Sequence, residues 1–343
     1  MKNGIKPILI CAQSNVSADF ATIRTSQTGL DVVRVLSSRA EITNIIEPFT
    51  PRAKAIKKFG NTYESLLLNN TNEADDEIRW QIKDLEQEII TESDVVCTTC
   101  VSAGGSLMRD LDFKVVIFDE SGQCLDPDLL IGLTHRAEQA ILVGDHKQLG
   151  PMVQSRIGNL GGYNVALLSR LVVLGVHPIV LRIQYRMHSA ISRFPSALFY
   201  DNLIKNGLDD QKDRNFNGKP NINTFPWPNP DFPIVFWNVL SFEQNYDSAT
   251  SYINEPEVGC VNQILTRLYQ NGVSATDIGI ITPYTGQQTF LIDTLPKISK
   301  IENKEFFDAL EISSVDAFQG REKNFIILSC VRANNSYEIG FLR

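Results

Sequence analysis

At 343 residues, with 43% hydrophobic and 21% charged residues, the chain has the make-up of a folded soluble protein long enough for two buried cores. Its formal charge of −8 excludes a protein that coats polyanions by bulk charge, while leaving room for a local basic groove that tracks a strand. No apolar run reaches the roughly 18–20 residues that cross a bilayer, and Met1-Lys2-Asn3-Gly4 lacks the apolar core of a signal peptide, so no membrane association and a cytoplasmic location are expected.

The first half alternates strand-like and helix-like runs. Pro7–Cys11 reads as a strand, Val16–Gln27 as a helix and Val32–Leu36 as a strand; Asp94–Cys100, Lys114–Phe118 and Ala140–Val143 are again strand-like. Alternation of this kind predicts a parallel sheet with helices on both faces. Residues 38–92 break the rhythm with a basic stretch (Arg52, Lys54, Lys57, Lys58), the polar break Asn69–Asn72 and an acidic run from Glu73 to Glu92. Ile78, Ile82, Leu85 and Ile89 fall at helical spacing, so this segment is expected to be a helical-hairpin insertion, either a solvated arm or a nucleic-acid contact.

The second half repeats the pattern. Residues 205–233 are rich in Asn, Asp, Pro and Gly and read as a long irregular loop. Strands are expected at Ile234–Val239, Ile278–Ile281, Glu311–Val315 and Phe325–Val331, and Asn254 with Glu257 three residues on marks a helix start. The domains are therefore expected at 1–181 and 182–343.

Two strand ends carry the chemistry. Val115–Phe118 runs into Asp119-Glu120-Ser121-Gly122-Gln123, and Ile141–Val143 into Gly144-Asp145-His146-Lys147-Gln148-Leu149-Gly150-Pro151. Buried parallel strands deliver such carboxylates to the mouth of an α/β sheet. Adjacent carboxylates beside a glutamine suit nucleotide-triphosphate hydrolysis, one holding magnesium and the other activating water. In Gln184-Tyr185-Arg186-Met187-His188 the arginine is either a phosphate-facing finger or a surface ion pair. In Asp316–Lys323, Gly320 permits a sharp turn that would leave Arg321 and Glu322 free to face a ligand. Of the six cysteines, Cys97 and Cys100 have the spacing of a metal or redox pair, but no second pair follows, and small core fillers on a buried strand are the alternative.

In order and wording these segments resemble the superfamily 1 RNA helicases of the up-frameshift type. Cys11–Asn15 resembles that family's motif Ia, Cys97–Gly104 its motif Ib region, Asp119–Gln123 motif II, Gly144–Pro151 motif III, Gln184–His188 motif IV and Ser314–Lys323 motif V. Ile281–Tyr284 and Phe325–Leu342 also read like it. The resemblance implies two tandem RecA-like parallel-sheet domains, a P-loop NTPase helicase core using ATP and Mg2+. It further implies 5′ to 3′ movement on single-stranded RNA (DNA being the alternative), nonsense-mediated mRNA decay factors as partners, and a monomer. By position, Asp119 would hold magnesium with Glu120 beside it as the base orienting water, Gln148 would sense the γ-phosphate, Tyr185 would pack on the nucleotide, Arg186 would touch the γ-phosphate and Glu322 would face the ribose. Ser14, Asn15, Thr99, Val101, Thr282, Pro283, Tyr284, Ser313 and Ser314 match positions lining the strand track.

The 343 residues hold no Gly-x-x-x-x-Gly-Lys-Ser/Thr phosphate cradle. The expectation is a truncated piece of such a helicase, incomplete in catalysis, with the alternative of a non-catalytic nucleic-acid- or partner-binding fragment. Its first sheet is expected to lack a central strand, which would expose neighbouring edges.

Overall fold

Leu9 and Cys11 are fully buried on β1 (Ile8–Ala12), and the strand occupies the centre of a parallel sheet. The computed structural model describes residues 5–37, 39–69, 76–208, 225–229, 231–246 and 251–340. The chain divides into two units, Met1–Pro178 and Ile179–Arg343.

In the first unit β1 leads into α1 (Asn15–Ser26) and β2 (Val32–Arg34). Three helices follow, α2 (Pro51–Phe59), α3 (Asn61–Asn69) and α4 (Asp76–Glu92). Then come β3 (Val95–Thr99), α5 (Cys100–Ala103), β4 (Val115–Asp119), α6 (Asp126–Leu133) and β5 (Gln139–Leu142), with α7 (Arg156–Leu160) and α8 (Leu167–Val173) closing the unit. Strand order is β2-β3-β1-β4-β5, and every pairing is parallel. The expected central gap is not there, because β1 bonds directly to β3 on one side and β4 on the other. The open edge is instead β5, whose run is exposed despite its apolar sequence, with Ile141 at 40%.

The helical insertion corrects a second expectation. Its first arm is two helices rather than one, because Gly60 turns the backbone to φ +52° between α2 and α3, a region open to a residue without Cβ. Nor is it a solvated arm. Ala55, Tyr63, Ile89 and Ile90 join Leu9, Val96, Phe113, Val116 and Phe118 in one core, with Ile82 and Leu85 packed against it. Residues 70–72 of the polar break lie outside the described residues, as does 73–75 of the acidic run. Cys11, Cys97, Cys100 and Cys124 are buried free thiols in this packing, Cys100 Sγ lying 4.0 Å from Cys124 Sγ, and so act as small core fillers.

The second unit opens with β6 (Ile183–Gln184), α9 (Ser189–Phe199) and β7 (Lys205–Asn206), then β8 (Gln244–Tyr246) and β9 (Ser251–Ile253). Its core follows: α10 (Glu255–Gln270), β10 (Ile278–Thr282), α11 (Thr285–Ile298), α12 (Lys304–Asp308), β11 (Glu311–Ser314), α13 (Val315–Phe318) and β12 (Phe325–Leu328). A parallel sheet in the order β11-β10-β12 packs Ile278, Ile280 and Ile327 against Val258, Leu265 and Leu291. Most of the irregular loop expected at 205–233, namely 209–224 and 230, lies outside the described residues.

Ile234–Val239 is not a strand, because no described segment pairs with it, and Phe236 stands 87% exposed. The helix start at Asn254 is half as expected. Its side chain accepts from the Glu257 backbone N–H (3.3 Å), but the Glu257 carboxylate turns away to Val331 N–H and Ser329 Oγ, and Gln287 Oε1 accepts from the Asn254 N–H instead.

Candidate functional site

Register sets the site. Ala12 on β1 aligns with Thr99 at the end of β3 and with Asp119 at the end of β4, so three strand-to-helix or strand-to-loop turns open on one carboxyl edge of the first sheet. In the second unit Thr282 aligns with Ser314 in the same way.

At the end of β4 the chain turns sharply. Glu120 adopts φ +52°, a conformation that costs a side-chain-bearing residue energy and is held here by a closed set of bonds. Gln123 N–H donates to Glu120 O (2.9 Å), Gln123 Nε2 donates to Glu120 Oε2 (3.1 Å), and Ser121 N–H and Oγ both donate to Val143 O (2.8 and 2.9 Å). The turn lies flat on the loop after β5. A Cβ on Gly144 would stand 2.8 Å from Gly122 N, and one on Gly122 would stand 3.0 Å from Asp145 O, so both glycines serve close backbone approach. Asp119 is half-buried. Burial pushes its carboxyl above the ordinary value, partly opposed by the backbone N–H of Glu120.

Beyond β5, Asp145 ties its own loop. Its carboxylate accepts from Lys147 N–H (2.9 Å) and from Gln148 Nε2 (3.0 Å). Gln148 is exposed, and its amide faces Asp145, while Gln123 is the glutamine bonded to Glu120.

Ser14, Thr99 and Ser314 share one local role. Each caps the helix that follows its strand, accepting from Ser17, Ser102 and Ala317 N–H at 3.1, 3.2 and 3.2 Å. Serine and threonine occur there because a parallel strand must hand over to a helix whose first N–H groups lack partners. Asn15 and Val101 are exposed beside these caps.

Thr282 differs. It is fully buried with Oγ1 unpaired among the described residues, so the hydroxyl grip expected of it is unavailable in this conformation. Tyr284 (3% exposed) and Ser313 (8%) are likewise inside, and Pro283 is half-buried. Tyr284 is held by a cluster that sequence reasoning missed. Arg332 Nη1 donates to Tyr284 Oη (3.2 Å), the guanidinium lies 4.5 Å from the Tyr252 ring centroid, and Arg332 Nε donates to Glu243 Oε2 (2.8 Å). Burial would raise the Glu243 carboxyl, but Arg332, Asn334 and the Ala333 N–H outweigh it and hold it below its ordinary value.

In the 184–188 turn, Gln184 Oε1 accepts from Arg186 and Met187 N–H (2.9 and 2.7 Å), fixing where the arginine leaves the backbone. Tyr185 is 63% exposed, one edge against Gly207, where any Cβ would meet its ring at 2.3 Å. Arg186 Nε donates to Glu322 Oε2 at 2.6 Å. Arg321 is not free as expected, since its Nη1 donates to Glu311 Oε1 (2.5 Å). The unit thus brings Arg186 and Glu322 together, with the exposed Tyr185 next to Arg186 in the chain.

A buried arginine also went unread: Arg34 on β2 is fully buried and bonded to Asn15 and Asp19. A charged residue inside the apolar run Val32–Leu36 was its signal.

A family model described as an AAA domain matches 50–156, and a second with that description matches 163–343, more than half of the chain. A regulator of nonsense transcripts 1 homolog of Neurospora crassa is 38% identical over 98% of this chain and 31% of its own length. The ATP-dependent helicase NAM7 of Saccharomyces cerevisiae is 38% identical over 98% of this chain and 35% of its own length. For the ATP-dependent helicase upf1 of Schizosaccharomyces pombe the figures are 37%, 98% and 36%. The chain spans about a third of the length of these curated relatives. With a parallel sheet in each of its two units and AAA-domain models matching 50–156 and 163–343, the chain belongs to the AAA-domain family.

Proposed function

We propose that the chain is the motor portion of an ATP-dependent helicase that moves 5′ to 3′ on single-stranded RNA and serves the decay of nonsense transcripts. The observation that carries this reading is the shared carboxyl edge of the first sheet. There Asp119, with Glu120 next to it, aligns through Ala12 with the Thr99 cap and near the Ser14 turn, which supports hydrolysis and strand contact at one edge. Hydroxyls and backbone N–H groups at such turns meet phosphates and sugars without reading bases.

Glu120 is the residue proposed to orient the attacking water, with its carboxylate fixed by Gln123. Asp119 is proposed to hold Mg2+ through water. The donor set is oxygen only, which suits this ion. Among the described residues no trio of His, Cys, Asp or Glu could hold a metal unaided, so the remaining ligands would be water and nucleotide phosphate oxygens. Bound there, Mg2+ would neutralise charge developing on the phosphates. Gln148 is proposed as the γ-phosphate sensor, and Tyr185, Arg186 and Glu322 as the nucleotide-facing set of the second unit.

The test is ATP hydrolysis by the protein as its gene expresses it, with and without oligouridylate. Where the polypeptide tested supplies the phosphate cradle that these 343 residues do not hold, RNA-stimulated turnover that Glu120→Gln removes is expected. Turnover insensitive to Glu120→Gln would overturn the assignment.

A further inference from the structure

Among the described residues Arg34 is one of the largest fully buried side chains, and it carries a charge. A buried guanidinium is tolerated only when its donors are satisfied. Here Nε donates to Asp19 Oδ1 (2.7 Å), Nη1 to Val35 O (2.6 Å) and Nη2 to Asn15 Oδ1 (3.1 Å). Asp19 supplies the counter-charge, and the Val35 carbonyl anchors the group to its own strand.

The Asn15 bond has a directional consequence. An asparagine amide presents an acceptor oxygen at one end and an NH2 donor at the other, and arginine has donors only. Facing Arg34, the amide must turn its oxygen inward. Its Nδ2 is thereby turned away from the guanidinium at an exposed residue, next to Ser14 and one turn from the carboxyl end of β1. A free asparagine would populate both orientations, and only one can donate to a phosphate or sugar oxygen.

We propose that Arg34 is a positioning residue for nucleic acid: it locks Asn15 so that Nδ2 donates to a backbone oxygen of a bound single strand. This rests on the strand-binding reading given above. Because the donated contact is neutral, it adds affinity without releasing a counterion, and so leaves the salt dependence of binding untouched.

The experiment is fluorescence-anisotropy binding of labelled oligouridylate at several salt concentrations, paired with thermal unfolding, for wild type, Asn15→Asp and Arg34→Lys. In Asn15→Asp the inward oxygen still accepts from Arg34 while the outward atom becomes an acceptor that repels phosphate. A merely structural Arg34–Asn15 contact would survive this change with binding intact. The expected result is an unchanged or raised melting temperature with at least tenfold weaker binding at low salt, a loss that narrows as salt screens the added charge. Wild-type affinity in Asn15→Asp would overturn the proposal even where Arg34→Lys fails to fold. Absence of binding by the wild type would instead sink the strand-binding reading itself, which separates the two failures.

Discussion

Arg186 Nε donates to Glu322 Oε2 across 2.6 Å, joining residues 136 positions apart in sequence. Both side chains are more than half exposed, at 59% and 66%, so the pair is worth at most about 1 kcal/mol to folding. Its value would lie in holding together two groups proposed to face the nucleotide. Arg186→Ala is expected to lower kcat for ATP by about 10³-fold, the scale of an arginine finger, with the melting temperature moving by no more than about 4 °C. A large loss of stability with intact turnover would make the pair a structural brace instead.

Gln123 is expected to matter through Glu120. Gln123→Leu removes the donor on the Glu120 carboxylate and should cut kcat by about 10²-fold, the cost of a misplaced catalytic group, with KM for ATP little changed. Steady-state kinetics decide it, and an effect confined to KM counts against a positioning role.

Asp119 sets function against stability. Its carboxyl is raised by burial, so the folded state favours the proton more than the unfolded state does. That stabilisation is complete below the ordinary carboxylate value and is lost as pH rises through the raised one. Asp119→Asn should therefore unfold at higher denaturant than wild type at neutral pH, with the advantage shrinking as pH falls toward about 4. Urea midpoints across this window, beside an ATPase assay expected to show no turnover, test both halves.

Arg332→Met should destabilise the second unit by about 3–5 kcal/mol, because Glu243 is left largely buried without its cation. Arg332→Lys is expected to recover only part, since an ammonium cannot both bond the carboxylate and lie flat on Tyr252. Denaturant unfolding measures the difference, and equal stability of the two variants would count against the stacked geometry.

Much of this was legible because it is local. Val115–Phe118 gives β4 from an apolar run alone, and Asn254 marks the start of α10 by residue type. The rest needed partners distant in sequence. Ile234–Val239 is an apolar run of strand-forming residues, yet a strand exists only where another segment bonds to it. Tyr284 is buried because Arg332, 48 positions later, folds over it. Arg321 was expected to be free because nothing in its neighbourhood foretells Glu311 on the adjoining strand. Arg34 was overlooked for the opposite reason: its flanking apolar residues announced a strand so clearly that the one ion among them drew no question.

Gly122 and Gly144 press two backbones together with no room for a single carbon between them. Gly144→Ala is expected to cost about 1–3 kcal/mol by overpacking and to abolish hydrolysis, measurable by unfolding and turnover in the same preparation. The wider consequence is mechanical. Two loops in backbone contact behave as one solid part, so a displacement felt at Gln148 reaches Glu120 without passing through any side chain that could slip. The carboxylates and Gln148 would then share a single stroke, and the two missing side chains are what rivets them.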